Sequence, residues 1–203
     1  MLEVIHRGVP LDKAVKVAIL IHGRGASAQS ILELEKHLNL DGFALLAPQA
    51  KGNTWYPFSF MAPDASNEPA FSDSIKGLDD LVGHLYQQGF GSEQLYWIGF
   101  SQGACLSLEY AAQHATKYGG VAAFTGGLIG EQLRPEKYQG KFDGTQVLIG
   151  SSFRDMHVPL HRVEASAKIL ESMGANVKTL VFPDTMHTIR QEELDWVNEH
   201  ILR

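Results

Sequence analysis

The segment Gly99-Phe100-Ser101-Gln102-Gly103 places a serine between two glycines, each two residues away. The apolar run LYWIGF at 95–100 leads into it, and QGACLSLEYAAQHA at 102–115 leads out, so a strand enters the turn and a helix leaves it. A turn that sharp strains the backbone of the serine, and a side chain at either glycine would collide with neighbouring main chain. The N-terminus of the following helix adds oriented N–H groups that favour developing negative charge. These are the requirements of a nucleophile. A serine hydroxyl also needs a positioned base. Among nine histidines, His187 stands just after the apolar run VKTLVF at 177–182, in Pro183-Asp184-Thr185-Met186-His187. In a parallel sheet the C-terminal strand ends share one edge, so this loop and Ser101 can meet there. His84, His114 and His200 fall on helical stretches among polar neighbours, His6 precedes the main sheet, and His22 before Gly23 suits packing or backbone support. His157 and His161 are spaced i, i+4 but lack a third ligand, so no metal site is expected.

The acid that orients the base should also leave a strand end. Asp155 follows the run QVLIG at 146–150 and gives the chain order Ser, Asp, His. Asp184 is the rival, but an aspartate three residues before the histidine more often forms a turn. Two backbone N–H groups are expected to hold an oxyanion: Gln102, directly after the serine, and Arg24 in His22-Gly23-Arg24-Gly25-Ala26. Donors of this kind typically lower a barrier by about 3–4 kcal/mol each. The Arg24 side chain, at the rim, could attract an anion or simply be solvated or paired with a loop acid.

Positioning these groups is the task of alternating strands and helices. Buried strands are predicted at 15–21, 43–47 (stopped by Pro48), 95–100, 119–127, 146–150 and 177–182. Helices are predicted at 28–38 (capped by Ser27), 72–88, 102–115, 160–173 (ended by Gly174) and 190–202. Such alternation implies a mainly parallel sheet covered on both faces. The long irregular stretch 49–70 carries Trp55, Tyr56, Phe58, Phe60 and Met61. A loop of that length in a compact domain is usually functional or mobile. Its aromatic cluster is the expected lining of an acyl pocket, with packing against the sheet edge as the alternative.

The 203 residues suit one domain over 1–203. The net charge of −6, with no basic stripe, excludes the usual nucleic-acid binder. Cys105 is the only cysteine, so no internal disulfide forms, and with no signal-peptide core or apolar span a cytoplasmic location is expected.

The chain resembles the small carboxylesterase/phospholipase family of α/β-hydrolases, the group that includes acyl-protein thioesterases. The resemblance rests on AILIHGRGA at 18–26, GFSQGA at 99–104, Asp155-Met156-His157-Val158-Pro159 and His187-Thr188-Ile189. It implies a single-domain α/β-hydrolase with no lid domain and no cofactor, acting on carboxylic esters or thioesters. Arg24 departs from the leucine or other uncharged residue common there, and Pro183–Met186 departs from a glycine-rich turn. The expected partner is a small-molecule ester or thioester substrate, with no nucleic acid and no membrane insertion; a homodimer stays open. A lactone or dienelactone hydrolase is an alternative, although that fold usually places cysteine where Ser101 stands. A non-catalytic binding protein on the same scaffold is the other.

Overall fold

Seven strands form one sheet in the order β1–β3–β2–β4–β5–β6–β7, in a computed structural model that describes residues 2–203. The strands are β1 (Glu3–Gly8), β2 (Lys16–Ile21), β3 (Phe43–Gln49), β4 (Leu95–Phe100), β5 (Gly120–Phe124), β6 (Gln146–Ser152) and β7 (Asn176–Phe182). All neighbours pair in parallel except β1, which runs antiparallel to β3. The helices are α1 (Ala28–Ile31), α2 (Ala70–Gln87), α3 (Gln102–Gln113), α4 (Leu160–Ser172) and α5 (Gln191–His200). Among the described residues, no helix is long and apolar enough to cross a membrane.

The strand sequences are continuously apolar because alternate side chains enter two different cores. On β2, Val17, Ile19 and Ile21 pack with α2, α3 and α4, whereas Ala18 and Leu20 pack with α1 and α5. On β4, Trp97 joins the first core and Ile98 the second.

Several boundaries differ from the sequence reading. Strand β1, which holds His6, belongs to the sheet and pairs His6 with Leu46. Strand β3 runs through Pro48 to Gln49, because Pro48 lies past the last pair with β2, Ile19↔Leu46. The predicted helix 28–38 is one α turn, with Ser27 accepting the N–H of Ser30, followed by a 3₁₀ stretch over Leu32–Lys36. Strand β5 stops at Phe124, and β6 continues to Ser152.

The chain leaves β2 toward β3 on one side and returns to β4 on the other. The crevice between the ends of β2 and β4 is therefore the topological switch point, where open α/β sheets bind ligands. There Ile21 pairs with Gly99, which brings the His22–Ala26 turn beside Ser101.

Candidate active site

Ser101 sits between β4 and α3 at φ 55°, ψ −118°. This left-handed backbone costs on the order of 1–3 kcal/mol for a non-glycine residue and persists only where its surroundings enforce it. The enforcement is visible. The Ser101 N–H donates to Phe124 O at 2.9 Å. A Cβ on Gly99 would lie 2.4 Å from Gly103 O, and one on Gly103 would lie 2.1 Å from Ile21 O. Helix α3 thus rests directly on the end of β2, and only glycine fits the contact.

The Ser101 hydroxyl lies 2.7 Å from His187 Nε2, and His187 Nδ1 lies 2.8 Å from Asp155 Oδ2. A carboxylate only accepts, so this network assigns the proton to Nδ1 and leaves the Nε2 lone pair facing the serine. The other oxygen, Asp155 Oδ1, accepts the N–H groups of His157 at 2.7 Å and Val158 at 2.8 Å. Burial alone would raise the Asp155 carboxyl, but the bonds from His187, Val158 and His157 hold it below its ordinary value. It is an anion fixed in place. Around the imidazole, the Phe100 ring lies 5.3 Å away and the His157 ring 5.0 Å, edge-on. Asp184 does not reach His187; it accepts from Met186 N–H at 2.9 Å and pairs with Arg190.

The two expected N–H donors flank this group. The Gln102 N–H opens α3, where no intrahelical acceptor exists. Arg24 lies in the turn after β2, whose neighbour Gly25 donates to Asn53 O at 2.7 Å. His22 braces the same turn from beneath: Nδ1–H donates to Gly23 O at 2.8 Å, and Nε2 accepts from Ala50 N–H at 3.1 Å. Burial lowers its pKa, only partly offset by the Gly23 bond, so it stays neutral.

A pocket of about 570 Å³ opens beside Ser101. Tyr56, Phe58 and Phe60 line one side of it and Cys105, Met156 and Val158 another, while Arg24 and His157 stand at its edge. Two of the expected lining residues are elsewhere. Trp55 is 1% exposed and turned under the His22 turn, with its indole N–H donating to His22 O at 2.8 Å. Met61 packs partly buried against the core. The cause is Gln102, whose Oε1 accepts the Trp55 N–H at 2.9 Å and whose Nε2 donates to Tyr56 O at 2.8 Å. That grip draws the segment onto α3 and points Trp55 inward. Arg24 fastens the next residues, with Nη1 donating to Pro57 O at 2.6 Å and Nη2 to Phe58 O. Its side chain therefore holds the pocket wall and, among the described residues, pairs with no loop acid. Sequence reasoning missed Cys105, although it lies four residues after Ser101 and so on the same helical face. It also missed Met156 and Val158, next to an aspartate it had singled out. Among the described residues, no cluster of three or more His, Cys, Asp or Glu side chains is arranged to hold a metal.

A sequence profile of the phospholipase/carboxylesterase family matches residues 4–203. The chain belongs to that family. This phospholipase/carboxylesterase-family chain is 46% identical to a phospholipase/carboxylesterase from Dyadobacter fermentans of known crystal structure, with a TM-score of 0.98 over 100% of this chain and 97% of that one. Curated relatives are more distant. An uncharacterised hydrolase of Schizosaccharomyces pombe is 29% identical over 58% of this chain and 55% of its own length. Acyl-protein thioesterase 1 of Gibberella zeae is 27% identical over 61% of this chain and 54% of its own length. The match thus spans about half the length of these curated relatives. Family membership agrees with the α/β-hydrolase sheet described above.

Proposed function

We propose that the protein is a serine hydrolase, one domain over 1–203, that cleaves carboxylic ester or thioester bonds of small to medium acyl substrates. The observation that carries this reading is the hydrogen-bonded line Asp155–His187–Ser101 at the mouth of the pocket. In the scheme, Ser101 Oγ attacks the acyl carbon while His187 Nε2 takes its proton. The carbonyl oxygen becomes an oxyanion between the backbone N–H groups of Arg24 and Gln102. Collapse expels the alcohol or thiol, which receives the proton from His187, and leaves an acyl ester on Ser101. Water, deprotonated by His187, then attacks that ester; the bond to Ser101 Oγ breaks, His187 returns the proton to the serine, and the carboxylic acid leaves. Asp155 stays ionised throughout, orienting the ring and stabilising its cationic form.

Acyl size follows from the pocket. Its volume suits a small ligand. The connection between β5 and β6, where an inserted lid would need length, holds, among the described residues, a 3₁₀ turn over Pro135–Lys137, an isolated bridge at Gly140 and no longer helix. Soluble short- and medium-chain esters are therefore the proposed substrates, without activation at a lipid interface. A reducing, cytoplasmic setting is compatible with the single buried thiol of Cys105.

The test is Ser101→Ala with a p-nitrophenyl ester series and fluorophosphonate labelling. Wild type should be labelled at Ser101, and the variant should lose roughly 10⁴-fold in turnover while keeping its melting temperature. Retention of more than about a tenth of wild-type turnover would refute the assignment.

A further inference from the structure

We propose that Arg190 is a positioning residue that fixes the register of His187 against Asp155 and Ser101. The inference rests on the serine-hydrolase reading. The loop from Pro183 to Arg190 that presents His187 contains no glycine and no regular structure before α5. The Arg190 side chain makes four of the bonds that give it shape. Arg190 Nη1 donates to Thr188 O at 3.2 Å, and Nη2 to Met186 O at 3.2 Å. These are the carbonyls on either side of His187, so the guanidinium brackets the base in sequence. Nη2 also reaches Ser152 Oγ at 2.8 Å and Asp184 Oδ1 at 2.5 Å.

Ser152 extends the bracket to the acid. It is the last residue of β6, three before Asp155, and its hydroxyl donates to Met186 O at 2.5 Å. Asp184 completes it by accepting the Met186 N–H at 2.9 Å, while its own carbonyl accepts the Arg154 N–H at 3.1 Å. The strand end that carries Asp155 and the loop that carries His187 are therefore tied directly by the Ser152 and Arg154 bonds and again through the Arg190 guanidinium. The guanidinium lies over the Phe182 ring at 4.5 Å, and the Arg190 N–H is held by Glu193 Oε2 at 2.7 Å. Both ends of the arginine are fixed. Nη1 takes Thr188 O, and the two N–H groups of Nη2 share Ser152 Oγ, Asp184 Oδ1 and Met186 O from a fixed plane, whereas a lysine ammonium is a point charge on a flexible stem. Asp184, the rival acid of the sequence, thus acts on the position of the base and not on its proton.

A purely structural arginine would lower stability and leave each folded site fully active. The experiment therefore counts active sites by fluorophosphonate titration and expresses kcat per titrated site for Arg190→Met, Arg190→Lys and Ser152→Ala. Displacing a reacting group by about 1 Å can cost about a hundredfold. Arg190→Met should lower kcat per site about 10- to 100-fold with KM within about twofold, because substrate contacts are untouched. Arg190→Lys should recover part of that loss. The downfield proton resonance of the His187–Asp155 hydrogen bond should broaden or vanish in Arg190→Met. A kcat per titrated site within about twofold of wild type in folded Arg190→Met overturns the inference. If that variant cannot be obtained folded, Ser152→Ala decides, and an unchanged kcat per site overturns the inference in the same way. Absence of labelling in the wild type would instead overturn the serine-hydrolase reading itself.

Discussion

Glu193 offers a test of the electrostatics under the histidine loop. It is fully buried on α5, where Oε2 accepts the Arg190 N–H and Oε1 has no hydrogen-bond partner among the described residues. The neighbouring backbone is so close that a Cβ on Gly150 would overlap Oε1. Burial raises its pKa from 4.5 to about 7, against the opposing pull of Arg190. The folded state therefore binds a proton more tightly than the unfolded chain, and the stability that proton brings is lost as pH rises through about 7. A shift of that size is worth about 3 kcal/mol, of which roughly 2.5 kcal/mol is lost between pH 5 and pH 8. Glu193→Gln is the neutral isostere of the protonated acid and removes this dependence. The difference in melting temperature between variant and wild type isolates Glu193, because every other ionisable group is common to both. Near pH 5 the two should melt together to within a few degrees; at pH 8 the variant should melt about 5–10 °C higher. A difference that stays constant from pH 5 to pH 8, or a wild type that is the more stable at pH 8, would refute the reasoning.

The remaining predictions concern the site. Asp155→Asn should lower kcat/KM about 10⁴-fold, whereas Asp184→Asn should cost no more than about tenfold; steady-state kinetics with the reverse order would reassign the acid. Trp55→Ala should destabilise the fold by about 3–5 kcal/mol in denaturant titration and leave chain-length preference unchanged, because the ring is core and not pocket wall. Phe58→Ala, at a ring that is 56% exposed on the rim, should do the opposite. Its kcat/KM for hexanoyl esters should fall about three- to tenfold relative to acetyl esters, with an unaltered melting temperature. Arg24→Met should release Pro57 and Phe58 and raise KM across all esters; a change confined to anionic esters would mean that the guanidinium binds substrate.

Much of this arrangement was legible because it follows rules local in sequence. Strands β2 and β4 read as strands because both of their faces are buried, and Ser101 lies between two glycines that announce a tight turn. Strand β1 was missed for the complementary reason. As an edge strand it packs on fewer neighbours, and its sequence, EVIHRG, shows no continuous apolar run. The pocket was half legible. Tyr56 and Phe58 line it, yet Trp55 and Met61 do not, because an irregular loop has no period from which to assign faces. Only the side chain of Gln102, reaching back from α3, decides which way Trp55 points. The Arg190 bracket lay beyond sequence reasoning altogether, since Ser152, Asp184 and Arg190 meet only after β6 and β7 have paired.

The contact between Gly103 and the end of β2 has a consequence for how such a site changes over time. Because α3 is pressed against the Ile21 and His22 carbonyls, the turn bearing Ser101 and the turn bearing Arg24 are packed as one block. Both proposed oxyanion donors belong to that block, whereas Phe58 stands on a separate loop fastened to it from outside by Arg24. In the proposed scheme the chemical engine and the substrate reader are thus different mechanical parts. Exchanging residues in the Phe58 loop alters which acyl group is accepted while the bond-breaking apparatus keeps its alignment. A methyl group at position 103, by contrast, would wedge both donors apart at once, so new specificities are accessible by small steps and a new reaction is not.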